Sequence, residues 1–123
     1  MRQSLRVGPP NSIFFLGDMK KTSLFPEIDD RKNCIWSSSS GIIIGCLMSD
    51  DGDTEFTLSD SVEDVIDSTP AFDGNLLTTN GVVEVFTSWR EVLLRQPVQS
   101  PLVRTRIWTD HPSEPEHILV VLG

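Results

Sequence analysis

No stretch of this chain keeps a helical period for long; short apolar runs alternate with Gly, Pro, Asn and Asp clusters along all 123 residues. That punctuation limits the fold more than any other feature. Strands need only a few residues of alternating or continuous apolar character between turns, and several such runs at close spacing predict an antiparallel sandwich or barrel. The runs "SLRV", "SIFFLGD", "CIW", "GIIIGCLM", "TEFTLS", "NLLTT", "VVEVFTSW", "EVLLRQPV", "LVRTRIWT" and "HILVVL" carry this reading. The expectation is an all-β fold: an antiparallel β-sandwich of about 8–10 short strands with at most one short helix. The length fits one domain, residues 1–123, able to bury a core without a metal or disulfide.

Individual runs differ in what they imply. "GIIIG" (41–45) is apolar on both faces and β-branched, so it predicts an interior strand covered on both sides. "DDGD" (50–53) reads as a hairpin tip, because Asp51-Gly52 suits a type I′ turn. Asn80-Gly81 gives the same signal. In "TEFTLS", Phe56 and Leu58 share one face, Glu55 and Thr57 the other. Residues 59–74 allow two readings: a short helix capped at Ser61 and ended by Pro70, or a loop crossing between sheets. "MKKTSLFPEIDDRK" (19–32) has no period and reads as a loop with one helical turn.

The C-terminus reads as a core strand. "HILVVL" is almost purely aliphatic and predicts a partner of "LVRTRIWT", with the Pro-rich loop between them. In that partner Val103, Thr105 and Ile107 face the core; Leu102, Arg104, Arg106 and Trp108 share the other side, either facing solvent with the arginines pairing a carboxylate such as Glu84 or Glu91, or with the arginines turned inward to tie the sandwich edge by buried ion pairs.

The formal net charge is −8, with a pI near 4.5. Such a chain repels nucleic acid and anionic membrane, so a charged partner is expected to be basic. No apolar run approaches the ~20 residues of a spanning helix, and the N-terminus lacks a signal-type apolar core. A soluble, cytoplasmic protein is expected. Cys34 and Cys46 read as buried thiols, with one bridge between neighbouring strands as the alternative.

Catalytic constellations are sparse. There are two histidines, His111 and His117, and no Gly-x-Ser-x-Gly elbow to activate a nucleophile. Asp110, His111, Glu114, Glu116 and His117 are metal-ligand types, but His-x5-His in a loop with two prolines is not a zinc spacing. "DDGDTE" lacks the order of a calcium loop. No phosphate-cradling loop is present, and no cofactor or metal is expected.

The charge distribution is more informative. Between Lys32 and Arg90 there is no Lys or Arg, while ten acids fall there: Asp50, Asp51, Asp53, Glu55, Asp60, Glu63, Asp64, Asp67, Asp73 and Glu84. Segregation of this kind makes a field directed at a cationic partner. The expected partner-binding set is Asp50, Asp51, Asp53, Glu55, Asp60, Glu63, Asp64 and Asp67, brought together at one end of the sandwich, with Phe72, Trp36 or Trp89 as an aromatic anchor.

The segments "AFDGNLLTTNGVVEVFTSWREVLLRQPV", "VRTRIW" and "HPSEPEHILVVL" resemble small bacterial β-sandwich proteins of the competence-regulator and nuclease-inhibitor type, the ComJ-like proteins. They are also similar to immunity proteins encoded beside polymorphic or contact-dependent toxins. The resemblance spans roughly residues 41–123 and implies binding of a cognate basic toxin, a nuclease or RNase domain, without catalysis and without direct contact to nucleic acid or membrane. Two other readings compete: a small metal-assisted hydrolase using residues 110–117, and a non-catalytic accessory module of a larger assembly.

Overall fold

The computed structural model describes residues 1–28 and 33–123. The end of the 19–32 segment therefore lies outside the described residues. Its start forms a 3-10 turn, Met19–Leu24, capped by the Asp18 carboxylate accepting from the Lys20 amide.

Among the described residues, ten strands form two five-stranded sheets. They are β1 (Arg2–Val7), β2 (Ile13–Gly17), β3 (Ile35–Ser37), β4 (Gly41–Gly45), β5 (Thr54–Ser59), β6 (Phe72–Leu77), β7 (Val82–Phe86), β8 (Val92–Pro97), β9 (Leu102–Thr109) and β10 (His117–Leu122). The first sheet has the order β1-β5-β10-β9-β6 and the second β3-β4-β2-β7-β8. All pairs are antiparallel except β10 with β5, which run parallel. The all-β sandwich is as expected, and the helical content is confined to short 3-10 turns among the described residues.

The core follows from alternation. Phe56 and Leu58 of β5, Ile118, Val120 and Leu122 of β10, and Val103 and Ile107 of β9 point inward from the first sheet. Phe14 and Leu16, Ile42 and Ile44, and Val83 and Val85 meet them from the second. The Phe14 and Phe56 rings pack across the layers at 4.8 Å, tilted by 52°.

β4 is buried along its whole length, and both faces are covered as its composition requires. Its outer face contributes Ile43 to a row that continues through Phe15 to Phe86. Phe25, just after the 3-10 turn, packs on this row, 5.7 Å from the Phe15 ring and 5.6 Å from Phe86. Gly41 makes that possible: a Cβ there would lie 2.5 Å from the Phe25 ring. Gly41→Ala is accordingly expected to lower the unfolding free energy by about 1–3 kcal/mol through overpacking, measured by urea denaturation; an unchanged midpoint would show that Phe25 is not held there.

Two turn readings are corrected. Asp51-Gly52 does not join a hairpin, because β4 belongs to the second sheet and β5 to the first. The link is a 3-10 turn, Ser49–Asp51, that carries the chain between layers. Asn80-Gly81 likewise links β6 of the first sheet to β7 of the second, with Gly81 at φ 76°. The hairpin in this region is β7–β8, closed by Thr87 and Glu91 around Ser88, Trp89 and Arg90.

Residues 60–71 form neither a full helix nor a crossing between sheets. They hold one 3-10 turn, Val62–Asp64, capped by the Ser61 hydroxyl accepting from the Glu63 amide. The segment links two strands of the same sheet, β5 and β6, by passing over that sheet's outer face. There the Trp108 indole donates to the Ser68 carbonyl at 3.0 Å. Trp108 therefore lies on the same face as Arg104 and Arg106 but is covered, at 6% exposed.

The arginines on that face pair differently from the expectation. Arg104 holds Asp73 with two hydrogen bonds, at 3.2 and 3.0 Å, and Arg106 donates to the Gly123 carbonyl. Glu84 pairs instead with Arg95 on the neighbouring strand. β10 is where its composition puts it, between β9 and β5, and the Gly123 amide donates to the Arg104 carbonyl. No helix among the described residues is long and apolar enough to cross a membrane.

Candidate functional site

β5 decides where the acids lie. Asp50, Asp51 and Asp53 precede it; Asp60, Glu63 and Asp64 follow it. A six-residue strand is about 20 Å long, so the two groups occupy opposite ends of the sandwich. Asp67 belongs to neither, since it sits on the segment crossing the first sheet's outer face. The single acidic patch expected from the sequence is thus three separate sites.

The Asp60 end is largely neutralised. Asp60 accepts from the N-terminal ammonium and from Gln96. Asp64 is paired with Arg2 at 2.9 Å and with the Ser59 hydroxyl. The Ser59 hydrogen bond, then the Arg2 interaction, hold the Asp64 carboxyl below its ordinary range against some desolvation.

The Asp50 end differs. Four segments meet there. The Cys46 amide donates to the Ser12 carbonyl at 2.9 Å, the Leu47 amide to Pro115 at 3.1 Å, and the Glu55 amide to Glu116 at 2.7 Å. The Ser88 hydroxyl binds Asn11 Oδ1 at 2.8 Å, which ties the β7–β8 hairpin tip to the same end. Asp110, Glu114 and Glu116 join Asp50, Asp51 and Asp53 here, a grouping invisible locally because more than fifty residues separate the two loops in sequence. Among the described residues Asp50, Asp51, Asp53, Glu114 and Glu116 make no ion pair with a cation. Glu55, at the start of β5, is shared by Arg6 at 3.6 Å and His117 at 3.4 Å.

A recess of about 450 Å³ opens between these segments, lined by Trp36, Asn11, Gly45, Cys46, Met48 and Glu114 among others. Trp36 lies over Gly45. Of the expected aromatics it is the one that lines the recess, while Trp89, on the β7–β8 hairpin tip, lies at the same end outside it. Phe72 is instead half-buried against the core and packs over Gly74. Cys34 and Cys46 are free, buried thiols, and burial pushes both up from the ordinary thiol value.

The 110–117 loop is built for its own support. His111 Nδ1 accepts from the backbone amides of Ser113, at 3.1 Å, and Glu114, at 2.9 Å. Asp110 accepts from the amides of Glu116 and His117 and from His117 Nδ1 at 2.7 Å. Among the described residues no three His, Cys, Asp or Glu side chains converge as a metal would require.

Asp110 has a stability consequence. Burial opposes its ionisation, but the His117 side chain and the two amides outweigh this and lower its pKa from 3.8. A depressed carboxyl pKa means stability that is complete above the unfolded value and lost as pH falls through the folded one. Asp110→Ala is expected to cost about 1–2 kcal/mol near neutral pH, the low end being favoured because the side chain is partly exposed. The difference from wild type should shrink below pH 3.8; a gap that persists in acid, measured by thermal melts across pH, would show that charge is not its source.

No protein-family model matches the chain, and no curated protein matches it. Among solved structures it is similar to ComJ from Bacillus subtilis, described as the inhibitor of the DNA-degrading activity of NucA. The two superpose with a TM-score of 0.64 over 99% of this chain and 93% of that one, at 11% sequence identity. The chain has the ComJ fold, and the likeness extends over the first forty residues, where the sequence alone matched nothing.

Proposed function

We propose that this chain is an immunity protein that binds a cognate basic nuclease domain in the bacterial cytoplasm and neutralises it by covering its active site. The observation that supports this most is the pairing of a nuclease inhibitor's fold, over 99% of the chain, with a group of carboxylates at one end that are left without cations among the described residues. A nuclease site is cationic because it must hold phosphates, and Asp50, Asp51 and Asp53 present the same charge that the nucleic acid backbone does. The protein acts in this reading by occupancy, without catalysis. Glu55, Asp60 and Asp64 are engaged in internal pairs and so offer less charge to a partner; Glu63 and Asp67 lie away from the docking end.

Charge complementarity acts mainly on association rate. With a basic nuclease domain encoded in a neighbouring reading frame as the partner, surface binding measurements at rising ionic strength are expected to show slower association and little change in dissociation. An association rate indifferent to salt would reject an electrostatic interface.

A further inference from the structure

We infer that the docking surface is the Asp50 end, anchored by Trp89 at the tip of the β7–β8 hairpin, and that its occupant is a loop of a basic protein carrying Arg or Lys beside an apolar side chain. The identity of that protein as a nuclease rests on the function proposed above; the location and chemistry of the surface do not.

Trp89 is 80% exposed, the most exposed large hydrophobic side chain among the described residues. A lone exposed apolar residue is ordinary, but this one has company. Ser88, its neighbour, is bonded to Asn11, and Asn11 lines the recess together with Met48, itself 53% exposed. Tryptophan is the residue type most enriched at the centre of binding energy in protein interfaces.

The backbone there is also unusual. Asn11, Ser12 and Arg90 are the three non-glycine residues with positive φ among the described ones, at 60°, 57° and 64°. Such conformations are unfavourable for side chains with a Cβ and persist where the surroundings fix them. Here they shape the recess wall and the hairpin tip that presents Trp89. Arg90 turns its guanidinium back to the Met19 carbonyl.

Charge selects the occupant. Glu114 lines the recess, and Asp50, Asp51 and Asp53 lie on the turn that follows its lining residue Met48; among the described residues none of the four is paired with a cation. The opposite end also exposes apolar side chains, Val62 at 71% and Leu102 at 54%, but two of its three acids are engaged: Asp60 is bonded to the N-terminus and Gln96, and Asp64 to Arg2. At the Asp50 end the exposed apolar area comes with Asp50, Asp51, Asp53 and Glu114, none paired with a cation among the described residues; at the opposite end it comes with Glu63 alone.

Two measurements on the full chain test this. In the first, backbone amide NMR follows titration with an oligoarginine peptide carrying a terminal leucine. Shifts are expected in residues 10–13, 46–53, 87–91 and 110–114; shifts centred on 60–67 and 97–104, or spread evenly, overturn the inference. In the second, Trp89→Ala and Leu102→Ala are compared with wild type as inhibitors of a nuclease that wild type inhibits, with thermal melts to establish that both fold. Trp89→Ala is expected to weaken inhibition by about tenfold or more, and Leu102→Ala to leave it within about twofold. Equal inhibition by wild type and Trp89→Ala overturns the anchor. Failure of wild type to inhibit any nuclease removes the proposed function, and the peptide titration then decides the surface alone.

Discussion

Phe56→Ala is expected to lower the unfolding free energy by about 3–5 kcal/mol, the range for emptying a large aromatic site in a close-packed core. Phe56 is fully buried in β5, with Leu5 opposite it on one neighbouring strand and Ile118 on the other. Its ring also meets Phe14 of the second sheet, so the substitution removes a contact that joins the two layers. An aromatic pair of this kind contributes about 0.5–1.5 kcal/mol beyond the area it buries. Domains of this size have only about 5–15 kcal/mol in total, so the variant should unfold at much lower urea or lose its cooperative transition. Val62→Ala, at a position 71% exposed, serves as the comparison and should be close to neutral. A Phe56→Ala loss no larger than that of Val62→Ala would mean that the two sheets do not pack through this contact.

The largest expected effect on binding comes from reversing charge at the Asp50 end. The combined change Asp50→Lys, Asp51→Lys and Asp53→Lys replaces three carboxylates that have no cation partner among the described residues. Stability should therefore change little. Association with a basic partner should slow by about 10–10³-fold, the span that electrostatic steering accounts for. The same exchange at Asp64 would instead break its pairing with Arg2 and Ser59 and register mainly as lost stability. Stopped-flow binding and thermal melts together separate the two. A triple variant that binds as fast as wild type would remove these carboxylates from the interface.

Strand positions were legible in the sequence because alternation is a local property. Phe56 and Leu58, Val83 and Val85, and Val103 and Ile107 all face inward as their spacing requires. Strand partners were not, because partnering is decided by contacts distant along the chain. Asp51-Gly52 and Asn80-Gly81 carry hairpin chemistry, yet that chemistry specifies only a reversal of direction and a tolerance of positive φ. Which sheet the next strand joins depends on surfaces elsewhere: β5 is claimed by β1 and β10, β7 by β2 and β8. The parallel contact between β5 and β10 leaves no local trace at all.

The same limit applied to the candidate site. Counting acids along the chain grouped Asp53 with Asp60, but the strand between them sends them to opposite ends. It also hid Glu114 and Glu116, which reach the Asp50 end through the backbone bonds of Leu47 and Glu55. Pairing was hidden too, since Arg2 and the N-terminal ammonium lie some sixty residues before the carboxylates they meet.

Titrating the purified protein into a DNA-degradation assay of a basic nuclease domain tests directly whether this sandwich inhibits such an enzyme by occupying it. Activity should fall linearly to its floor at an equimolar ratio, and added salt should restore it. Undiminished degradation at excess protein, against nuclease domains shown to be active and basic, would mean that the protein is not an inhibitor of this kind.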